Sequence, residues 1–224
     1  MCNLWPPRPA TSGDLMVEPA LGFTHEGAMT FADRMFRRMF ATPSGLLGHL
    51  GGALMARGNE ATERRAVELA APCVGDRVVV VGCGPGVGVS AAAECGARVV
   101  ALDPSEPMLR ATLRRIKAHP GRQVLCGFGT AEETGAEDDS VDVIVSVNNI
   151  HLWSTVGRGL AEARRVLRAD GQLVISSHVR ALPLPARSLI GTVKEAGFTV
   201  RHAGEWDPPS IMAGRAFQML ADRR

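Results

Sequence analysis

With 224 residues, 46% of them hydrophobic, the chain suits one medium-sized domain with a real core and perhaps a small appended segment. A net charge of +2 gives no reason to expect a polyanionic partner, and nearly all the basic residues are Arg, with Lys only at Lys117 and Lys194. The five cysteines (Cys2, Cys73, Cys83, Cys95 and Cys126) are odd in number and lack a C-x-x-C pair, which argues against a disulfide framework or zinc site and for a reducing cytoplasm.

Residues 1–23 hold four Pro together with Asp14 and Glu18 and no apolar run, so they read as a flexible arm rather than a signal peptide or a membrane span. Residues 24–58 predict a helical cap. Phe31, Met35, Phe36, Met39 and Phe40 recur at helical spacing, opposed by Arg34, Arg37 and Arg38. Pro43 stops that helix, and a second is expected from Ser44 to Arg57. A third, from Glu60 to Ala70, opens the remaining domain at 59–224 and ends at Pro72 and Gly75.

From Arg77 onward strand and helix alternate. Strands are predicted at Arg77–Val81, Arg98–Leu102, Gln123–Cys126, Val141–Val147 and Leu173–Ser177. Helices are predicted at Val87–Cys95, Pro107–Ala118, Val156–Leu167 and Ala186–Ala196, followed by strands near Phe198–Ala203 and Arg215–Leu220. Repeated βαβ order means an α/β fold with a parallel sheet and ligands at the C-terminal strand ends.

The densest signal is V-V-V-V-G-C-G-P-G-V-G at Val78–Gly88. Four successive Val make a strand buried on both faces, and the glycines permit a turn in which backbone amides approach a ligand. Asp103 follows 21 residues after Gly82 (103 − 82), one βαβ step, where a carboxylate can accept ribose hydroxyls. The spacing is not that of a dinucleotide fingerprint. Counted from Gly82 or Gly84, the third small residue falls on Val87 or Val89. No Lys-Ser/Thr pair follows, which excludes a Walker loop.

Gly82, Gly84 and Gly86 in G-x-G-x-G, the acid after the second strand and Ala131 after the third resemble class I S-adenosylmethionine-dependent methyltransferases, in particular the type 11-like small-molecule and quinone group. The resemblance spans roughly residues 60–220. It implies a Rossmann-like sheet, mostly parallel with an antiparallel last strand, beneath the N-terminal helical cap. It also implies S-adenosyl-L-methionine as cofactor, released as S-adenosyl-L-homocysteine. Gly82, Cys83, Gly84 and Gly86 would wrap the methionine part and ribose, and Asp103 would hold the ribose hydroxyls. Pro104 and Met108 would pack near the adenine, with Thr130, Ala131 and Glu132 at its edge. Asn148, at the end of the fourth strand, would meet the cofactor's amino group. His151, in the same V-N-N-I-H-L-W run, is the expected general base.

Two departures from the family pattern stand out. Thr130 replaces an Asp that would accept from the adenine amino group, and Val80 occupies the position of an acid near the cofactor's amino group. Either backbone contacts carry cofactor binding, or another carboxylate takes the place of that acid. Asn148-Asn149-Ile150 lacks the Asp/Asn-Pro-Pro-aromatic signature of amide methylation. Asp207-Pro208-Pro209 resembles it but follows the sixth strand and reads as a turn. The expected acceptor is a small apolar or aromatic molecule under the N-terminal helices, methylated at O, N or C. No metal, nucleic acid or stable membrane insertion is expected, and the chain would be a monomer or homodimer. The alternatives are a nicotinamide-dependent oxidoreductase and a non-catalytic binding protein on a methyltransferase scaffold.

Overall fold

The computed structural model describes residues 59–118, 121–209 and 214–224. The expected N-terminal arm and helical cap, and His119, lie outside the described residues. A helix, α1, occupies 59–70. It is followed by β1 (Arg77–Val81), α2 (Val87–Glu94), β2 (Arg98–Leu102), α3 (Glu106–Lys117), β3 (Val124–Gly127) and β4 (Val141–Val147). A short turn of helix at Ile150–Leu152 precedes α4 (Val156–Val166), β5 (Leu167–His178), α5 (Ala186–Glu195), β6 (Phe198–Trp206) and β7 (Ala216–Arg223).

The sheet has seven strands in the order β3-β2-β1-β4-β5-β7-β6. β1 pairs in parallel with β2 and β4, and β7 runs antiparallel to both β5 and β6. This is the mostly parallel sheet with one reversed strand that the sequence resemblance implies.

The valines of β1 show why the strand lies in the middle. Val78 and Val80 join one core with Ala66, Val67, Ala91, Ala92 and Leu109 from α1, α2 and α3. Val79 and Val81 join the other, with Leu160 and Ala163 of α4 and Leu189 and Val193 of α5. The side-chain period of two therefore feeds both faces of the sheet. Each fully buried Val contributes about 1.5–3 kcal/mol by leaving water, and the β-branched chain suits the pleat.

Most element bounds agree with the sequence reading to within a residue or two. β5 differs: it begins at Leu167, where the sequence still reads as helix. Buried Leu167 pairs with Val141, and the register then shifts before Gln172 pairs with Val143. Asp170 adopts φ 60° at this step, so the Asp-Gly pair bends the strand rather than beginning it. β6 and β7 both run about three residues farther than predicted because they pair along their whole length, with a second register shift between Val200 and His202.

Candidate active site

At the C-terminal ends of the parallel strands, Gly82, Gly84 and Gly86 all have positive φ, at 60°, 51° and 83°. They serve different purposes. A Cβ on Gly82 would lie 2.5 Å from Asn149 Nδ2, and one on Gly86 would lie 2.8 Å from Thr112 Oγ1. A Cβ on Gly84 would meet nothing within 4 Å among the described residues. Two glycines thus pack the loop against protein, and the middle one leaves open space beside backbone amides. The loop is pinned from outside: Cys83 N–H donates to Leu102 O at 2.9 Å, Thr112 Oγ1 to Gly84 O at 2.8 Å, and Arg115 Nε to Pro85 O at 2.9 Å.

Asp103 is buried at the end of β2. Its Oδ2 accepts Gly84 N–H and its Oδ1 accepts Ser105 N–H, both at 2.9 Å. Burial raises its pKa above the usual carboxylate value, against the pull of those two amides. Each oxygen keeps a second acceptor position, so the carboxylate both braces the loop and retains capacity for a diol. Its own N–H donates to Gly127 O, which brings the strand end carrying exposed Phe128 beside Pro104. Pro104 is exposed and Met108 half-buried, giving an apolar rim next to the acid.

Thr130 and Glu133 exchange backbone hydrogen bonds in a tight turn that exposes Thr130 and buries Ala131. Glu132 turns to the fourth-strand loop, where its carboxylate accepts Ser154 N–H. That contact ties two rims of the site together.

At the end of β4, Asn148 sits at φ 54°. Its Oδ1 accepts His178 N–H at 3.0 Å, while its Nδ2 is buried without a partner among the described residues. Asn149 is the structural member of the pair. Its Nδ2 donates to Val81 O at 2.6 Å, and its Oδ1 accepts from Ser146 Oγ at 2.6 Å and Trp153 Nε1 at 2.9 Å. His151 Nδ1 is also buried without a partner among the described residues. Burial, and then the neighbouring His178, lower the His151 pKa below its ordinary value and favour the neutral ring. The His178 ring lies within hydrogen-bonding distance of Gly214 O and Asn59 Oδ1, at 3.2 and 3.0 Å.

A family model described as "Methyltransferase domain" matches residues 79–175, the segment that carries the glycine loop, Asp103, Ala131 and Asn148. Residues 79–175 thus carry a methyltransferase domain, in keeping with the resemblance of the glycine loop and Asp103 to class I S-adenosylmethionine-dependent methyltransferases. It is similar to an uncharacterised methyltransferase of Mycobacterium tuberculosis, 30% identical over 66% of this chain and 56% of that protein. It is also similar to a demethylmenaquinone methyltransferase of Clavibacter sepedonicus, 32% identical over 54% of this chain and 49% of that one. The chain therefore spans about half the length of these relatives. Among solved structures, a SAM-dependent methyltransferase from Aquifex aeolicus superposes with a TM-score of 0.64, at 17% identity over 75% of this chain and 93% of that chain. At that identity the superposition speaks for the fold alone.

Within this methyltransferase scaffold, several supports escaped the sequence reading: Asn149, Thr112, Arg115 and Glu63. Glu63, on α1, accepts Gly88 N–H through Oε2 at 2.7 Å. Desolvation pushes its carboxyl up to about 7, opposed by that amide and by Arg115. The Cys83 thiol is buried and its pKa is raised, so it fills space in the loop without being a nucleophile. Among the described residues no cluster of three or more His, Cys, Asp or Glu is arranged to hold a metal, and no helix is long and apolar enough to cross a membrane.

Proposed function

We propose that the chain methylates a small apolar or aromatic molecule at an O, N or C atom, with S-adenosylmethionine as donor. The observation that carries the reading is the open space at Gly84 beside a buried carboxylate already bonded to Gly84 N–H. The amides of the glycine loop would hold the methionine part and Asp103 the ribose hydroxyls. Pro104, Met108 and Ala131 would border the adenine, with Thr130 offering its hydroxyl at the edge. The bound sulfonium would supply an electrophilic methyl group. The chain's task is then to fix the partners in line, a contribution that amounts to several kcal/mol where reacting groups are well aligned.

Asn148 Nδ2 and His151 Nδ1 are the two side-chain atoms of this strand end that are buried with hydrogen-bonding capacity to spare. A neutral His151 would take the proton that an O or N acceptor loses as its new bond to the methyl forms. Asn148 would donate to the cofactor's carboxylate or to the acceptor, which refines the expected contact with the amino group. The similarity to a demethylmenaquinone methyltransferase supports an apolar, ring-containing acceptor for this chain as well.

Calorimetry with S-adenosylhomocysteine and with NADH tests the cofactor, and a survey of methyl acceptors tests the substrate class. Micromolar S-adenosylhomocysteine affinity without NADH binding is the expected result. Tight NADH binding in its place would reinstate an oxidoreductase, and cofactor binding without transfer to any acceptor would favour a binding protein.

A further inference from the structure

The family places an acid two residues before the first glycine of the loop, and here that position is Val80, aliphatic and buried. A carboxylate from a different element nevertheless reaches the same glycine that Val80 borders. Glu63 extends from α1, and a Cβ on Gly88 would lie 3.4 Å from Glu63 Oε2 and 3.9 Å from Val80 Cγ1. The glutamate tip and the valine tip therefore both border Gly88. That residue is in the first turn of α2, whose N–H groups have no partner within the helix, and Gly86 at the cap offers no side-chain bond. Glu63 satisfies one of these amides, at the helix end that carries positive partial charge. Its Oε1 makes no hydrogen bond among the described residues. Around it stand Glu60 on its own helix and Arg115 on α3.

We propose that Glu63 is the transposed acid of the cofactor site: it fastens the α2 N-terminus and presents a carboxylate to the α-ammonium group of the donor's methionine part. The inference rests on the methyltransferase reading above and adds a positioning and binding residue to it. Because the acid now arrives on α1, cofactor affinity depends on how α1 is docked. The bond between Asn59 and His178 links that same helix to the end of β5.

Two ligands separate this role from simple bracing of the loop. S-adenosylhomocysteine carries the α-ammonium group; 5′-methylthioadenosine keeps the nucleoside and lacks the amino-acid part. At pH 8, Glu63→Gln should weaken S-adenosylhomocysteine by about tenfold to a hundredfold, the scale of one charged hydrogen bond, and leave 5′-methylthioadenosine unchanged. The wild type should also bind S-adenosylhomocysteine more tightly at pH 8 than at pH 6, as the Glu63 carboxyl ionises. Asp103 is common to both proteins, so the Gln variant should lose the part of this pH dependence that Glu63 supplies. Retained binding of 5′-methylthioadenosine certifies that the variant is folded. Equal affinities for wild type and variant, or an equal loss for both ligands, would overturn the proposal. A wild type that binds neither ligand would overturn the methyltransferase reading itself, and this proposal with it.

Discussion

The two ends of the sheet are built on opposite electrostatic rules. At the N-terminal strand ends, charges are matched at short range. Arg165 bonds to Glu162 at 2.8 Å and Asp138 at 2.5 Å, Arg168 bonds to Asp142 at 2.6 Å, and Arg223 reaches Asp139 and Leu167 O. A hollow of about 670 Å³ opens there between Asp138, Arg164, Arg165 and Glu195. Among the described residues Arg223 Nε and Asp222 Oδ1 lack partners at this end, but each side chain is already paired through another atom. At the C-terminal ends, Asp103 keeps acceptor capacity beside the loop, Gly84 opens onto space, and the His151 ring has no hydrogen bond among the described residues. A hollow lined by charges that are already paired is thus a poor guide to a site. Unspent hydrogen-bonding capacity is a better one, because a buried polar group without a partner costs free energy that a ligand can return.

The sharpest way to break this contrast is Asp103→Ala. It should weaken S-adenosylhomocysteine by about a hundredfold or more in calorimetry. It should also cost about 1–3 kcal/mol of stability, since the Gly84 and Ser105 amides lose their acceptor. An unchanged dissociation constant would show that the ribose lies elsewhere. His151→Ala should lower turnover about a hundredfold with cofactor affinity intact. Because burial holds the His151 pKa below 6.5, the neutral base is the prevailing form at pH 7. Wild-type turnover should then decline as pH falls through that lowered value, and the variant should lack this decline.

Gly84→Ala sharpens the comparison within the loop. The added Cβ enters open space at φ 51°, so a melt should show only about 1–2 kcal/mol of backbone strain, while S-adenosylhomocysteine binding drops about tenfold. The same change at Gly82 drives Cβ into Asn149 and should be the more destabilising of the two. The smallest effect belongs to the other end. Asp138→Ala removes an exposed ion-pair partner and should cost about 0.2–1 kcal/mol, with no change in cofactor affinity.

What the sequence made legible was local. The valine run, the three glycines and the Asp103 spacing sit within one βαβ step, and each constrains its own backbone. The supports of the loop arise from contacts distant in sequence. Glu63 is 25 residues from Gly88, Thr112 is 28 from Gly84, and Asn149 is 68 from Val81. No periodicity announces such pairs. Val80 did leave a trace, a missing acid that left either backbone contacts or another carboxylate to hold the cofactor. The early start of β5 was hidden for a related reason: an Asp-Gly pair reads as a break unless the partner strand is known. Asn148 and Asn149 are chemically identical neighbours, and only the fold assigns one to structure and leaves the other with a donor to spare.

The register shift in β6 has a consequence for solubility. β6 is one rim of the sheet and β3 the other, and a rim strand offers unpaired amides and carbonyls to any passing chain. The shift between Val200 and His202 falls where Arg201 and His202 are exposed, so the rim is both kinked and charged. β3 is only four residues long, although it exposes Leu125. Neither rim gives a straight, uninterrupted template for another strand, which protects the chain against fibril-like stacking at high concentration.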